Sequence, residues 1–188
     1  MIQRILDILI IFFLSPLIFL ILLVVFLLAL FFHKTDIFFV QARIGKGEKI
    51  FSLYKFRTMV HNAQNIGSGL YSYSDDTRIT KLGKVLRRSS LDELPQLFNV
   101  LKGDMSFVGP RPALYNQDDL MALRVAAGVD KLKPGITGWA QINGRDDISI
   151  EKKVQLEQEY MNKRSTLFDI EIIIKTFTNV LFSKGVSH

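Results

Sequence analysis

The chain contains no cysteine, which excludes disulfide bonds, catalysis by a thiol and metal sites built from thiolates. This absence fits a protein that faces the cytosol. The histidines, His33, His61 and His188, share no spacing typical of metal ligands, and we interpret each as a solvated side chain. The sequence also lacks a glycine-rich phosphate loop with Lys-Ser/Thr and a dinucleotide-binding glycine fingerprint, so nucleotide binding by those two routes is disfavoured.

Charged side chains are missing from a long segment near the N-terminus. From Ile8 to Phe32 every residue is apolar except Ser15, and the segment exceeds the roughly 20 residues needed to cross a bilayer. It is too long for the apolar part of a signal peptide, and no small-residue cleavage site follows it. We therefore predict a membrane protein in which this segment remains attached.

The net charge of +6 allows two interpretations. A basic surface can serve nucleic-acid binding, or it can face an anionic membrane and a phosphorylated substrate. Because the apolar segment already indicates a membrane protein, the second interpretation is favoured. Membrane lipids are then expected partners, and nucleic acid is not.

A proline inside the apolar segment predicts a bend. Pro16 removes a backbone hydrogen bond and clashes with the preceding turn, while the Ser15 hydroxyl can bond to a freed carbonyl. Arg4 precedes the segment and Lys34 follows it, so a spanning helix would place one positive flank outside the cell, against the positive-inside tendency. We expect a re-entrant helix that breaks at Ser15-Pro16 and returns to the cytoplasmic face. A straight spanning helix is the alternative, because such helices tolerate prolines.

The rest of the chain predicts a small hairpin and several helices. Ile37 to Val40 and Lys49 to Phe56 are typical of short strands, joined through the turn Gly45-Lys46-Gly47. Asn62 to Asp76 is interpreted as a mobile loop and Lys133 to Gly144 as a turn-rich segment. Helical patterns run over Lys81 to Arg88, Leu91 to Leu101, Asp118 to Ala127, Ile150 to Arg164 and Ile170 to Phe182.

Two adjacent carboxylates, Asp92 and Glu93, follow Arg87-Arg88 at the predicted start of a helix. Ser90 is a favourable N-cap there, so backbone N–H groups and the positive end of the helix dipole would point towards the acids. A helix start with cations nearby attracts phosphate, which makes Arg88 a phosphate-binding candidate. A carboxylate at this place can act as a nucleophile, an acid/base or a magnesium ligand. The alternative is a capping box in a charge-complemented first turn.

Two further basic segments are candidate anion sites. Lys55 and Arg57 alternate along an extended segment and would share one face, where they could bind phosphate or form a solvated basic edge. Arg111 is held between two prolines and loses little freedom on binding, which suggests an anion clamp; an exposed arginine in a structural turn is the alternative. Trp139, the only tryptophan, fits either the membrane interface or the core.

Seven segments, taken in order, resemble the bacterial sugar transferase family, the monotopic phosphoglycosyl transferases. They are Arg43-Ile44-Gly45, Lys55 to Met59, Asp75 to Thr80, Arg87 to Gln96, Lys102 to Ser106, Gly109 to Pro112 and Pro134 to Arg145. The match covers nearly the whole chain. The resemblance is to the small, minimal type, because the extra N-terminal spans of the large members are missing.

The resemblance implies an enzyme at the cytoplasmic face of the bacterial inner membrane. In that family a phosphosugar moves from a UDP-sugar to undecaprenyl phosphate with release of UMP and with Mg²⁺, as the first membrane step of glycan assembly. Asp92 would be the covalent nucleophile and a metal ligand, and Glu93 an acid/base or a partner in the metal site. The helix break and the phosphate contacts carry over onto Ser15-Pro16, Lys55, Arg57 and Arg111.

We therefore expect an α+β fold, predominantly helical, with a small β-hairpin and amphipathic helices in the membrane interface. Residues 1–34 would form the re-entrant membrane helix and residues 35–188 the cytosolic, membrane-associated catalytic domain. Two other classes remain open. A non-catalytic membrane adaptor would survive loss of Asp92, and a membrane-tethered nucleic-acid binder would bind DNA in a salt-dependent way.

Overall fold

The computed structural model describes residues 2–33, 36–60, 63, 76–144 and 148–181. Within these residues the protein is predominantly helical with short strands, so the predicted α+β class is confirmed. The helices are α1 (Ile2–His33), α2 (Lys81–Arg88), α3 (Gln96–Lys102), α4 (Asp118–Ala126), α5 (Trp139–Ile142), α6 (Ile150–Lys163) and α7 (Thr166–Leu181). The strands are β1 (Phe38–Ile44), β2 (Ile50–Phe56), β3 (Ser106–Val108), β4 (Ala113–Leu114) and β5 (Gly135–Thr137).

The predicted hairpin is confirmed, with a longer first strand. β1 and β2 pair in antiparallel register from Phe38 opposite Phe56 to Ile44 opposite Ile50. The connection is a short 3-10 turn, in which Gly47 adopts a left-handed conformation with φ of 62°. β1 extends beyond the predicted Val40 because β4 pairs with its far end and gives that end a second neighbour.

A parallel pair of three-residue strands was not predicted. β3 pairs with β5, with Ser106 opposite Gly135. The segment from Lys133 to Gly144, predicted to be only turns, thus contributes β5 and α5. Strands this short carry too few residues for a period of two to be recognised, and their pairing depends on a contact between distant parts of the chain.

The helix predicted from Leu91 to Leu101 is divided in the structure. Leu91–Glu93 forms a 3-10 turn, and α3 begins at Gln96. The predicted N-cap at Ser90 is wrong: Ser90 has a left-handed φ of 56°, and its side chain makes no capping bond. Pro95 explains the division, because it has no N–H to donate to the Leu91 carbonyl. Leu94 instead donates to that carbonyl at 3.3 Å, closing the tighter turn.

The remaining helices agree with the predictions except at their ends. α2 has its predicted bounds, and the Thr80 side chain accepts from the Gly83 N–H at its start. α7 begins earlier than the predicted Ile170, at Thr166, and Ser165 accepts from the Phe168 N–H there at 3.2 Å. The loop predicted from Asn62 to Asp76 lies outside the described residues except at its ends, Ala63 and Asp76.

α1 is long and apolar enough to cross a membrane, and only 6% of the residues in its most apolar stretch are buried. A core helix would be mostly buried, so this helix has the surface of a membrane segment. Residues 12–17, which include Ser15 and Pro16, are exposed. The Ser15 hydroxyl donates to the Phe12 carbonyl at 2.8 Å, which is the type of bond expected beside Pro16. The bend itself stays a prediction.

Both ends of α1 contact the rest of the chain. Near its start, Asp7 accepts from the Ser106 hydroxyl at 2.9 Å and from the Phe107 N–H at 3.0 Å. Towards its end, Val25 and Ala29 are buried in a cluster with Phe56, Leu82 and Leu86. The apolar segment is therefore attached to the rest of the chain on both sides of its exposed middle.

Candidate active site

Asp92 lies in the turn between α2 and α3 and is 8% exposed. Burial of its carboxyl group, and then the adjacent Glu93 charge, raise the pKa of Asp92 to about 6. The positive charges of Lys55 and Arg87 act in the opposite direction. A buried carboxyl group that remains mostly ionised at neutral pH, with cations on hand, suits a nucleophile aimed at an anionic substrate.

Glu93 differs from Asp92 although the two are adjacent. Its Oε1 lies 2.7 Å from Lys55 Nζ, and both side chains are about one-fifth exposed. Among the described residues, no side chain hydrogen-bonds to the Asp92 carboxylate or forms an ion pair with it. Because Glu93 is engaged by Lys55, Asp92 is the carboxylate better placed to react.

Arg87 is the arginine whose charge acts on Asp92, and the sequence reasoning missed it. Its Nε donates to the Thr58 hydroxyl at 2.9 Å. Arg88, the residue predicted, lies exposed in the last turn of α2. The helical pattern contained this information. Leu82, Gly83 and Leu86 are the buried residues of α2. Arg87 lies four residues after Gly83 and so on the same side of the helix, the side that contacts Thr58.

Arg57 is placed apart from this group by the structure. Its Nε donates to the Asp36 carbonyl at 2.7 Å, at the entrance to β1. Lys55 and Arg57 were predicted to share one face and act together. In the structure Lys55 contacts Glu93, while Arg57 is directed to a backbone carbonyl, so a phosphate-binding role for Arg57 stays a prediction.

A cleft lies beside Glu93, and Asp92 is not among the residues that line it. Lys55, Glu93 and Arg111 line it together, so the structure brings three of the predicted site residues to one place. Arg43 and Gln96 line it as well, and neither was predicted as a site residue. Gln96 is 3% exposed, and no described residue hydrogen-bonds to its amide, which leaves that amide available to a ligand in the cleft.

The loop that carries Arg111 is held close to β5. The Gly109 N–H donates to the Thr137 carbonyl, and the Gly135 N–H donates to the Pro110 carbonyl, each at 2.9 Å. A Cβ on Gly109 would lie 2.2 Å from the Lys133 carbonyl oxygen, so only glycine permits this approach. The glycines of this part of the sequence therefore set the position of the arginine rather than bind phosphate through a glycine-rich loop.

Trp139 lies half-buried at the end of β5. Its Nε1 donates to Glu159 at 3.1 Å, its ring packs against Phe168 with centroids 5.0 Å apart, and Lys175 Nζ lies 5.2 Å from the ring centroid. Of the two interpretations from sequence, packing against the core describes these contacts. Arg145, the last residue of that segment, lies outside the described residues.

A magnesium ion fits the donor chemistry at Asp92 and Glu93. Mg²⁺ prefers oxygen ligands and is usually held by one or two carboxylates together with substrate phosphates and water. The described residues contain no group of three or more His, Asp or Glu side chains that could hold a metal.

Comparison with known proteins identifies relatives over most of the chain. The family model described as bacterial sugar transferase matches residues 1–183. The uncharacterized sugar transferase EpsL of Bacillus subtilis (strain 168) is 47% identical over 152 residues, which make up 81% of this chain and 73% of the relative. The UDP-glucose:undecaprenyl-phosphate glucose-1-phosphate transferase of Xanthomonas campestris pv. campestris is 43% identical over 155 residues, or 79% of this chain and 32% of the relative.

A third relative also matches most of this chain. The undecaprenyl-phosphate galactose phosphotransferase of Salmonella typhimurium (strain LT2) is 39% identical over 160 residues, covering 76% of this chain and 33% of that protein. The chain thus spans about a third of the length of these two named phosphotransferases, and nearly three quarters of EpsL. With the family model matched from end to end of the described fold, this chain belongs to the bacterial sugar transferase family.

Proposed function

We propose that this protein moves a sugar phosphate from a UDP-sugar to undecaprenyl phosphate and releases UMP. The observation that carries the proposal is the buried Asp92 carboxylate under the charges of Lys55 and Arg87, next to Glu93, which lines a cleft with Lys55 and Arg111. The relatives named as undecaprenyl-phosphate phosphotransferases support the same class of reaction.

The reaction proceeds in two displacements at one phosphorus atom. An Asp92 carboxylate oxygen attacks the β-phosphorus of the UDP-sugar, and the bond from that phosphorus to the bridging oxygen breaks, so UMP leaves with the bridging oxygen. A phosphate oxygen of undecaprenyl phosphate then attacks the phosphorus of the aspartyl-phosphosugar. The bond to Asp92 breaks, and the carboxylate is restored without net proton transfer.

The basic residues stabilise charge on the transferring group. Arg111 extends from a loop with little conformational freedom, so its planar donors are positioned before the substrate binds. Lys55 holds Glu93 and adds positive charge at the same place, and Arg87 favours the ionised form of Asp92. Electrostatic stabilisation of this type is worth about 3 kcal/mol for a single well-placed donor.

Mg²⁺ is part of the proposal. Asp92 and Glu93 would hold it together with diphosphate oxygens, and when bound it neutralises charge on the diphosphate. Glu93 has two candidate roles, as an acid/base or as a partner in the metal site. A Glu93→Gln variant separates them, because an acid/base role predicts slow turnover with the covalent intermediate still formed. A metal-site role predicts loss of both steps, partly restored by excess magnesium.

We further propose that α1 is re-entrant and holds the site at the cytoplasmic face of the bacterial inner membrane. From Asp7 to Ala29 a straight helix rises about 33 Å, close to the roughly 30 Å of the hydrocarbon core. A spanning helix would place these two residues at opposite surfaces, yet both contact the same catalytic part of the chain. Exposed apolar residues on α3, Phe98 and Leu101, would lie in the interface beside it.

The test is release of UMP from a panel of UDP-sugars, with and without undecaprenyl phosphate, in the presence of Mg²⁺. We expect one or a few donors to give rapid release that depends on the lipid phosphate. Release from no donor would overturn the proposal. Full release by an Asp92→Ala variant would favour direct attack by the lipid phosphate, and membrane binding with no turnover would favour the adaptor class.

A further inference from the structure

The loop that carries Arg111 has three consecutive carbonyl groups held by three different parts of the chain. The Pro110 carbonyl accepts from the Gly135 N–H at 2.9 Å. The Arg111 carbonyl accepts from Arg124 at 3.0 Å, and the Pro112 carbonyl accepts from Arg43 at 3.1 Å. Every carbonyl on this stretch therefore has a donor, and two of the donors are guanidinium groups.

Arg124 is unusual among these donors because its side chain is buried, at 4% exposed. It lies on α4 and forms two hydrogen bonds to Glu157 on α6, at 2.8 and 2.5 Å. Glu157 is 2% exposed. A buried charge without a partner is costly, so the pairing with Glu157 is what allows a guanidinium to remain at this depth.

The pairing also decides what Arg124 can do. Its charge is matched by Glu157, and its burial keeps it from the cleft, so it is not a substrate ligand itself. The same Nη2 that contacts Glu157 also donates to the Arg111 carbonyl. A planar guanidinium presents its donors in fixed directions, and one that is held by a carboxylate therefore fixes the carbonyl on its other side.

We propose that Arg124 is a positioning residue that orients Arg111 towards the transferring phosphoryl group, with Glu157 holding Arg124 in place. The proposal rests on the role given to Arg111 in the proposed function. Arg43 on β1 donates to the neighbouring Pro112 carbonyl. It also lines the cleft, so replacing Arg43 would change the lining of the cleft together with the loop contact. Arg124 is the cleaner residue to test.

The decisive variant replaces both members of the buried pair, Arg124→Met with Glu157→Leu. Replacing a buried ion pair by apolar residues of similar volume is often neutral for stability, whereas removing one partner is not. We expect the double variant to unfold within a few degrees of the wild type and to release UMP about ten to a hundred times more slowly. The loss should lie mainly in kcat, because the arginine is misplaced in the transition state.

The same pair replacement in an Arg111→Ala variant distinguishes a positioning role from a merely structural one. In Arg111→Ala, the pair replacement should slow UMP release by no more than about twofold further, because the residue on which it acts is gone. The same fold loss in both backgrounds would overturn the proposal. As a control, Lys163→Met removes an exposed ion pair with Glu159 on the same helix as Glu157 and should leave UMP release unchanged.

A readout without turnover separates this proposal from the proposed function. Amide hydrogen exchange at Gly109, which donates to the Thr137 carbonyl, and at Ala113, which pairs with β1, should become faster in the pair variant, with exchange in the β1–β2 hairpin unchanged. If the wild type releases UMP from no UDP-sugar, the proposed function fails and the exchange arm still tests the loop. Unchanged exchange at these amides, or a fully active Arg111→Ala variant, would overturn the positioning role itself.

Discussion

Gly83 approaches Thr58 so closely that a Cβ on the glycine would lie 2.0 Å from the Thr58 carbonyl oxygen. The Thr58 carbonyl accepts from the Thr80 N–H at 3.0 Å, and the Thr58 hydroxyl accepts from Arg87 at 2.9 Å. The segment just after β2 is therefore held against α2 at two points, the close approach of Gly83 and the bond from Arg87.

Replacing Gly83 with alanine should destabilise the protein. Helix propensity alone would favour alanine by about 1 kcal/mol, but the added Cβ overlaps the Thr58 carbonyl oxygen, which cannot move without shifting the backbone after β2. We expect a lower melting temperature and slower UMP release, measured by thermal unfolding and by initial rates. Val85→Ala, on the exposed side of the same helix, is the matched control and should change both values little. A Gly83→Ala protein more stable than the wild type would contradict the close contact.

The first half-reaction should weaken as the pH falls through about 6. In the proposed reaction Asp92 attacks as a carboxylate, so protonation near its pKa of about 6 would remove the nucleophile below that pH. The measurement is exchange of labelled UMP into UDP-sugar without lipid acceptor, followed from pH 5 to pH 8. Arg87→Gln should move the acid limb to higher pH, because a charge that lowers the pKa of Asp92 is lost. An acid limb at the same pH in that variant would show that Arg87 does not act on the nucleophile.

Asp92→Asn should abolish UMP exchange and at the same time stabilise the fold. The folded-state pKa of about 6 lies above the ordinary carboxyl value of 3.8, so the folded protein binds more protons than the unfolded chain between these two pH values. Its stability therefore falls as the pH rises through that range. At pH 7 the carboxylate costs about 2–3 kcal/mol, which the neutral amide avoids.

Thermal unfolding checks this prediction. The melting temperature of Asp92→Asn should exceed that of the wild type at pH 7, and the difference should shrink towards pH 4. Glu93→Gln is the comparison: it removes the repulsion of Asp92 and the partner of Lys55 together, so any gain in melting temperature should be smaller than that of Asp92→Asn. A variant less stable than the wild type at pH 7 would mean that Asp92 makes favourable contacts as a carboxylate.

Lysine should be a poor substitute for Arg111. A lysine cannot present two planar donors to phosphoryl oxygens, and loss of one such contact costs on the order of a hundredfold in rate. The side chain is exposed, so Arg111→Lys should unfold at the wild-type temperature. Arg57→Lys tests the other predicted phosphate contact, and because Arg57 donates to the Asp36 carbonyl, a full rate there would limit it to a structural role.

Both ends of α1 should be protected from a thiol reagent outside the cell. The natural chain has no cysteine, so Ile2→Cys and Lys34→Cys each provide a single label site. We expect neither to react with an impermeant reagent in intact cells, and both to react after permeabilisation. Labelling of Ile2→Cys alone from outside would indicate a spanning helix. Replacing Ser15 and Pro16 with leucine should favour that spanning form, because the residues predicted to bend the helix are gone.

The sequence allowed the local elements to be predicted, because their signals lie within a few residues. Thr80 and the apolar pair Leu82 and Leu86 define α2, and alternating residues around a glycine turn define the hairpin. The β3–β5 pair could not be predicted in this way, since it joins residues around position 106 to residues around position 135. Pro95 was visible in the sequence, and its effect on the helix after Asp92 could have been anticipated.

The candidate site was predicted in part. Glu93, Lys55 and Arg111 line one cleft, and the charges of Glu93 and Lys55 also act on Asp92. Their division of roles was not predictable, because it depends on the distance from Glu93 to Lys55. Which of the two arginines, Arg87 or Arg88, faces the site depends on the rotation of α2 against Thr58. The contribution of Arg124 depends on the packing of α4 against α6.

The attachment of α1 to β3 has a consequence for making a water-soluble version of this enzyme. Gln3 donates to the Val108 carbonyl, and Asp7 accepts from Ser106 and Phe107. Cutting the helix away would remove these contacts from β3, one residue before the loop that bears Arg111, and would leave the Val108 carbonyl with Tyr160 as its donor. A soluble form should therefore keep the helix and replace its exposed apolar residues, such as Phe12, Phe13 and Phe19, with polar ones.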